Sequence, residues 1–138
     1  MVAAVTPSTL LVGTMHALLA FDPMNGVVRR LHEGAGSYYG IAYDKDGFWV
    51  ACRCEVKGQE LPFIGRFHWD GSLHVKIRPP FPLHDMHQMQ LADDKLWVVC
   101  SGHERIVRYD LASQVWDIWP DNKAERDVQP LNSIWVDS

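Results

Sequence analysis

Apolar and polar residues alternate along this chain in short runs with a period of two. Leu73–Ile77 and His87–Leu91 are such runs, and Tyr39–Tyr43, Ile64–His68, Arg105–Tyr109 and Val115–Trp119 are short mixed runs of branched and aromatic residues. Phe48–Cys52 and Leu96–Cys100 are apolar throughout. A period of two, with Val, Ile, Trp and Tyr enriched, predicts short strands, and an unbroken apolar run predicts a strand covered on both faces. The punctuation between runs is turn chemistry: Asp22-Pro23-Met24-Asn25-Gly26, Asp44-Lys45-Asp46-Gly47, Trp69-Asp70-Gly71-Ser72 and Ala92-Asp93-Asp94-Lys95. No apolar stripe of helical period occurs, and the polar stretch Pro120–Asp127 predicts a long surface loop.

The runs repeat. Phe48-Trp49-Val50-Ala51-Cys52 returns as Leu96-Trp97-Val98-Val99-Cys100, a shift of 48 residues, and Gly40–Gly47 returns as Gln88–Lys95 at the same shift. Self-similarity at this period in strand-like sequence points to four-stranded propeller blades, with strand A innermost and strand D outermost. Blade 2 (37–78) has A at 39–43, B at 48–52, C at 64–68 and D at 73–77, with a longer B–C connection from Arg53 to Phe63. Blade 3 (84–120) has A at 87–91, B at 96–100, C at 105–109 and D at 115–119.

The ends are permuted. Leu10–Thr14 aligns with strand B, Ala17–Phe21 with C and Val27–Leu31 with D, so residues 9–32 give blade 1 without its inner strand. Asn132-Ser133-Ile134-Trp135-Val136-Asp137 aligns with strand A, Ile134 matching Ile41, and the segment 129–137 closes blade 1. Met1–Val5 aligns more weakly with the same strand. The fold expected is an all-β β-propeller, with three four-stranded blades in one half-propeller spanning 1–138. Three blades do not close a ring, whereas six do. Two chains are therefore expected to complete a six-bladed ring as a homodimer, with strand-exchange closure that removes open sheet edges. A piece of a longer single-chain propeller is the other origin of such a pattern.

Charge narrows the partners. A net charge of −4 and a pI near 5.9 argue against nucleic acid and anionic membrane, which select basic surfaces. No run of 18 apolar residues is present. The first residues lack the basic and apolar regions of a signal peptide, and three cysteines do not make a disulfide framework, so a cytoplasmic setting is expected.

Candidate chemistry collects where strand A begins and strand B ends. Repeat equivalence places Tyr39, His87 and Asn132 together at the mouth of the central channel, and two-fold symmetry would double them. Around them stand His84 and Asp85 before strand A, Thr14 and His16 after the first strand B, Arg53, Cys54 and Glu55 after the second, and Ser101, His103 and Glu104 after the third. Imidazole with carboxylate suits a divalent cation, so His84-Asp85-x-His87 is a candidate metal-ligand cluster. Channel-lining or hydrogen-bonded histidines are the alternative. Cys52 and Cys100 read as buried thiols, with a cysteine–histidine nucleophile formed with His87 as the alternative. Trp49, Trp97 and Trp135 read as packing residues. Tyr38 and Tyr39 read either as packing or as a stacking surface for a sugar or ring.

The segment Gly40-Ile41-Ala42-Tyr43-Asp44-x-Asp46-Gly47-Phe48-Trp49-Val50-Ala51 resembles the blade repeat of gluconolactonase-like (regucalcin-like) and NHL-type propellers. In the first of these families a central cation, usually calcium, is held by carboxylates and asparagines at the starts of inner strands. An Asn-Gly-Ile segment supplies one ligand there, which Asn132-Ser133-Ile134 resembles, so the resemblance implies Asn132 as a metal ligand beside His87 and Asp85, for calcium or zinc. Three functions follow as expectations: a propeller that binds a small-molecule ligand or acts as a scaffold, with no assured cofactor; a metal-assisted hydrolase of the lactonase type; and a structural half-propeller without activity.

Overall fold

The computed structural model describes residues 8–34, 36–56, 59–83, 85–119 and 136, without the side chains of 54–60 and His103. Eleven strands follow in order: β1 (Leu10–Gly13), β2 (Ala17–Asp22), β3 (Val27–Glu33), β4 (Ser37–Asp44), β5 (Gly47–Val56), β6 (Gln59–His68), β7 (Leu73–Ile77), β8 (Met86–Ala92), β9 (Lys95–Cys100), β10 (Arg105–Asp110) and β11 (Trp116–Trp119). A single 3-10 turn, Ser101–His103, is the one helical element among the described residues. The strands form three antiparallel sheets, ordered β1-β2-β3, β4-β5-β6-β7 and β8-β9-β10-β11. The protein is all-β with repeated blade-like sheets, the first of three strands and the others of four among the described residues.

The turns form where short polar side chains replace ladder partners. The Asp22 carboxylate accepts from the Met24 N–H at 2.9 Å and Asn25 Nδ2 at 2.7 Å. Asp70 accepts from the Ser72 N–H at 2.8 Å, and Asp110 from the Ala112 and Ser113 N–H groups, both at 2.9 Å. These bonds favour the ionised form and hold all three carboxyls below their ordinary range, with the Asn25, Ser72 and Ser113 contacts leading respectively.

The second sheet is buried on both faces, which explains the unbroken apolar run Phe48–Cys52. Phe48, Val50, Cys52, Phe63 and Phe67 pack toward the first sheet with Leu18 and Tyr38. Ala42, Trp49, Ala51 and Ile64 pack toward the third sheet against Met89, Leu96, Val98, Val107 and Tyr109. Phe48 and Phe67 stack with centroids 5.5 Å apart. At fully buried aliphatic sites such as Leu96 and Val98, removing the side chain back to Cβ costs about 2–5 kcal/mol.

The sheets converge at their inner strands, where glycine is required. A Cβ on Gly40 of β4 would lie 2.8 Å from the Met89 nitrogen and 2.9 Å from the Gln88 carbonyl carbon of β8. One on Gly13 of β1 would lie 2.7 Å from the Tyr38 carbonyl oxygen. Backbone can approach backbone this closely only where the side chain is missing.

One sequence expectation is corrected. The stretch from Arg53 to Phe63 is not a loop but a hairpin arm, paired Arg53↔Pro62, Cys54↔Leu61, Glu55↔Glu60 and Val56↔Gln59. Charged residues and Pro62 concealed it, although a solvated outer ladder tolerates both. The expected C-terminal inner strand, 132–137, lies outside the described residues except for Val136.

Candidate functional site

The starts of β4 and β8 carry the same irregularity. Tyr38 pairs with Cys52 and Ile41 with Val50, so Tyr39 and Gly40 together oppose Ala51. Met86 pairs with Cys100 and Gln88 with Val99, leaving His87 as the extra residue. A β-bulge twists its strand and re-aims a side chain. Both bulges fall at the repeat-equivalent position, and they bring Tyr39 and His87 side by side. Their rings meet edge to face with centroids 6.4 Å apart. Tyr39 is half-buried and His87 is exposed.

A polar rim surrounds this pair. Arg53 continues β5 past the bulge, opposite Ser37. Its Nη1 lies 3.5 Å from Asp85 Oδ1, with both side chains substantially open to solvent. Asp85 adopts left-handed backbone, φ 50°, and its carbonyl accepts from the Ser101 N–H at 3.0 Å and Ser101 Oγ at 3.1 Å. Those two bonds tie the approach to β8 to the turn leaving β9. On the other side the Thr14 carbonyl accepts the Tyr38 N–H at 2.8 Å. Thr14 Oγ1 accepts the Ala17 N–H at 2.9 Å, shaping the turn on which exposed His16 stands. Glu104, half-buried with φ 52°, ends the 3-10 turn.

The structure thus gathers Tyr39, His87, Arg53 and Asp85 at one end of the inner strands, with His16 and Glu104 on flanking turns. Asn132 and His84 lie outside the described residues, as does the side chain of His103. Among the described residues no group of three or more His, Cys, Asp or Glu side chains is arranged to hold a metal ion. Of the candidate ligand set only Asp85 and His87 are described, and Asp85 faces Arg53.

Three side chains lie elsewhere than a reactive or stacking role requires. Tyr38 is 2% exposed, buried between the first and second sheets, where its hydroxyl shares a 2.7 Å hydrogen bond with His32 Nδ1. Burial, then the charge of Lys76, pushes His32 below its ordinary value and keeps it neutral. Cys52 and Cys100 are buried. Burial pushes the Cys100 thiol up to about 12, so it stays protonated and is no nucleophile at neutral pH.

A concavity of about 270 Å³ opens between the second and third sheets at their opposite end, lined by Asp44, Trp49, Arg66, Ile77 and Tyr109 among others. Arg66 Nη2 bonds Asp44 Oδ2 at 3.0 Å and its guanidinium lies 5.6 Å from the Trp49 ring centroid. Trp49 Nε1 is buried without a hydrogen-bond partner, the one such side-chain atom among the described residues. The repeat position of Trp49 predicts a packing role alone. The recurring signal was Trp on strand B with Arg opposite on strand C, as Trp49↔Arg66 and again as Trp97↔Arg108.

No helix among the described residues is long and apolar enough to cross a membrane. No protein-family model matches the sequence, and no curated protein matches it.

Proposed function

We propose that this chain is a ligand-binding or scaffold half-propeller. Two copies close a six-bladed ring, and a small molecule binds at the mouth of its central channel. The observation that carries this reading is the repeated bulge. Consecutive blade-like sheets present Tyr39 and His87 at one equivalent position, side by side, beside the Arg53–Asp85 pair. An aromatic face, an imidazole and a guanidinium–carboxylate pair suit a polar ligand carrying a ring and hydrogen-bonding groups. The resemblance to gluconolactonase-like and NHL-type propellers supports the ring.

Light scattering over a dilution series tests the ring: about 31 kDa, twice the 15.7 kDa chain mass, is expected. A thermal-shift screen against sugars, lactones and organic acids tests the mouth. A ligand present at about 100 times its dissociation constant stabilises by ~2.7 kcal/mol, and Tyr39→Ala and His87→Ala should abolish that shift. A persistent 15.7 kDa monomer overturns the ring. Hits that survive both substitutions, or none at all, overturn the mouth as a binding site.

A further inference from the structure

We propose that the concavity between the second and third sheets is a binding site for a small, neutral, planar amide: a ring that carries a C=O beside an N–H. The site lies within one chain, at the opposite end of these sheets from the mouth, so it rests on neither the ring nor the mouth reading.

Trp49 supplies a donor without an acceptor. It lines the concavity and is only 4% exposed, and its Nε1 is closed off from solvent with no hydrogen-bond partner. A buried donor left unpaired loses its hydration and gains nothing in return, and such groups are rare in folded proteins. An acceptor carried in by a ligand recovers that loss.

The two equivalent sheets differ at this place. Each pairs a Trp on its second strand with an Arg on its third, Trp49↔Arg66 and Trp97↔Arg108. In the third sheet Arg108 faces Asp117 on the outer strand, whose Oδ2 accepts from both Nε and Nη2. In the second sheet the residue facing Arg66 on the outer strand is Val75. The carboxylate comes instead from Asp44, at the end of the inner strand, where the third sheet has Ala92. Arg66 bonds Asp44 through Nη2 alone, at 3.0 Å, so its remaining donors are available. The guanidinium lies over the Trp49 ring, 5.6 Å from its centroid. A single bond lets it give way to a ligand that approaches Nε1, whereas Arg108 is held twice.

These groups select the ligand. The Arg66–Asp44 pair is already neutral, so a net charge on the ligand would enter unbalanced. Trp49 Nε1 and the spare Arg66 N–H groups call for an acceptor, and the Asp44 carboxylate calls for a donor. Val75 and Ile77 of the second sheet and Leu111 of the third line the concavity with apolar surface, which suits a flat body. A C=O beside an N–H on one planar ring meets both polar demands. A volume of about 270 Å³ limits that body to one or two rings.

Uracil and nicotinamide are the probes, titrated into the full-length, ¹⁵N-labelled chain while the indole N–H signals of its six tryptophans are followed. The Trp49 signal should move downfield and saturate. It is identified through Trp49→Phe or, should that variant fail to fold, by sequential assignment of the wild type. Val75→Asp gives Arg66 the outer-strand carboxylate that Arg108 has, at a position 38% exposed. It should weaken binding about 10-fold, the loss expected from a hydrogen bond to a charged group. Benzoate, close to nicotinamide in size but anionic, should leave the signal in place. A Trp49 signal unmoved by either probe overturns the site, as do shifts confined to Tyr39 and His87, which would put the probe at the mouth. Equal binding by a folded Val75→Asp variant overturns the role of the spare Arg66 donors. An equal response to benzoate overturns the ligand class.

Discussion

Substituting Gly40 by alanine tests the convergence of the inner strands on which the mouth depends. The new Cβ would sit 2.8 Å from the Met89 nitrogen, 2.9 Å from the Gln88 carbonyl carbon and 3.0 Å from the Gln88 Cα, where ordinary contact begins at 3.4 Å. All three neighbours are backbone, so no rotamer change relieves the overlap. β4 and β8 must separate by about half an ångström, and each is held by its own ladder and by the shared core of Ala42, Trp49, Met89 and Val98. Overpacking of this kind costs about 1–3 kcal/mol. Alanine also narrows the unfolded ensemble, which returns about 0.4–1 kcal/mol. The net loss is thus about 1–2 kcal/mol, or roughly 3–8 °C in melting temperature for a chain of this size. Chemical denaturation with fluorescence detection measures it directly, since the tryptophans report on both cores. The mouth should respond too, because Tyr39 precedes Gly40 in the same bulge and its contact with His87 would loosen. A variant as stable as wild type, or more stable, would refute the close approach of these strands and the inward convergence of the sheets.

Cys100 should label slowly in the native state and quickly after denaturation, as followed with a chromogenic disulfide reagent at neutral pH. Its thiol is raised from an ordinary value of 9.0 to about 12 by burial, so its contribution to stability is complete below pH 9 and is lost as pH rises toward 12. Cys100→Ala should therefore flatten the alkaline arm of a stability-versus-pH curve, and an unchanged arm would count against the burial argument. Arg66→Ala should cost about 1–2 kcal/mol, since it strands Asp44, whose side chain is only 14% exposed, and uncovers Trp49. Arg66→Lys should recover less than half of that in urea melts, because an ammonium lacks the planar face. His87→Ala should change stability by no more than about 0.5 kcal/mol, as expected for an exposed side chain. A large drop in its melting temperature would mean that His87 is a packing residue.

The sequence by itself determined the strands and their grouping. Period-two runs, aspartate-led turns and the shift between Trp49 and Trp97 located the three sheets, because strand formation and turn chemistry are local properties. The unbroken run Phe48–Cys52 announced a sheet covered on both faces. The same locality explains the failure at Arg53–Phe63: composition there reads as loop, and only pairing between β5 and β6 makes it a hairpin arm. What the tertiary structure decided is which side chains meet. Tyr38 and Tyr39 are neighbours with nearly identical credentials, yet the bulge sends one into a core beside His32 and the other to the mouth beside His87. The Arg53–Asp85 pair joins residues of different sheets, and the hydrogen bond from Gln90 to the Val136 carbonyl joins segments 46 positions apart in the chain. Such contacts depend on the angle and register at which sheets pack, set by where glycine lets backbones touch, and no local pattern encodes them.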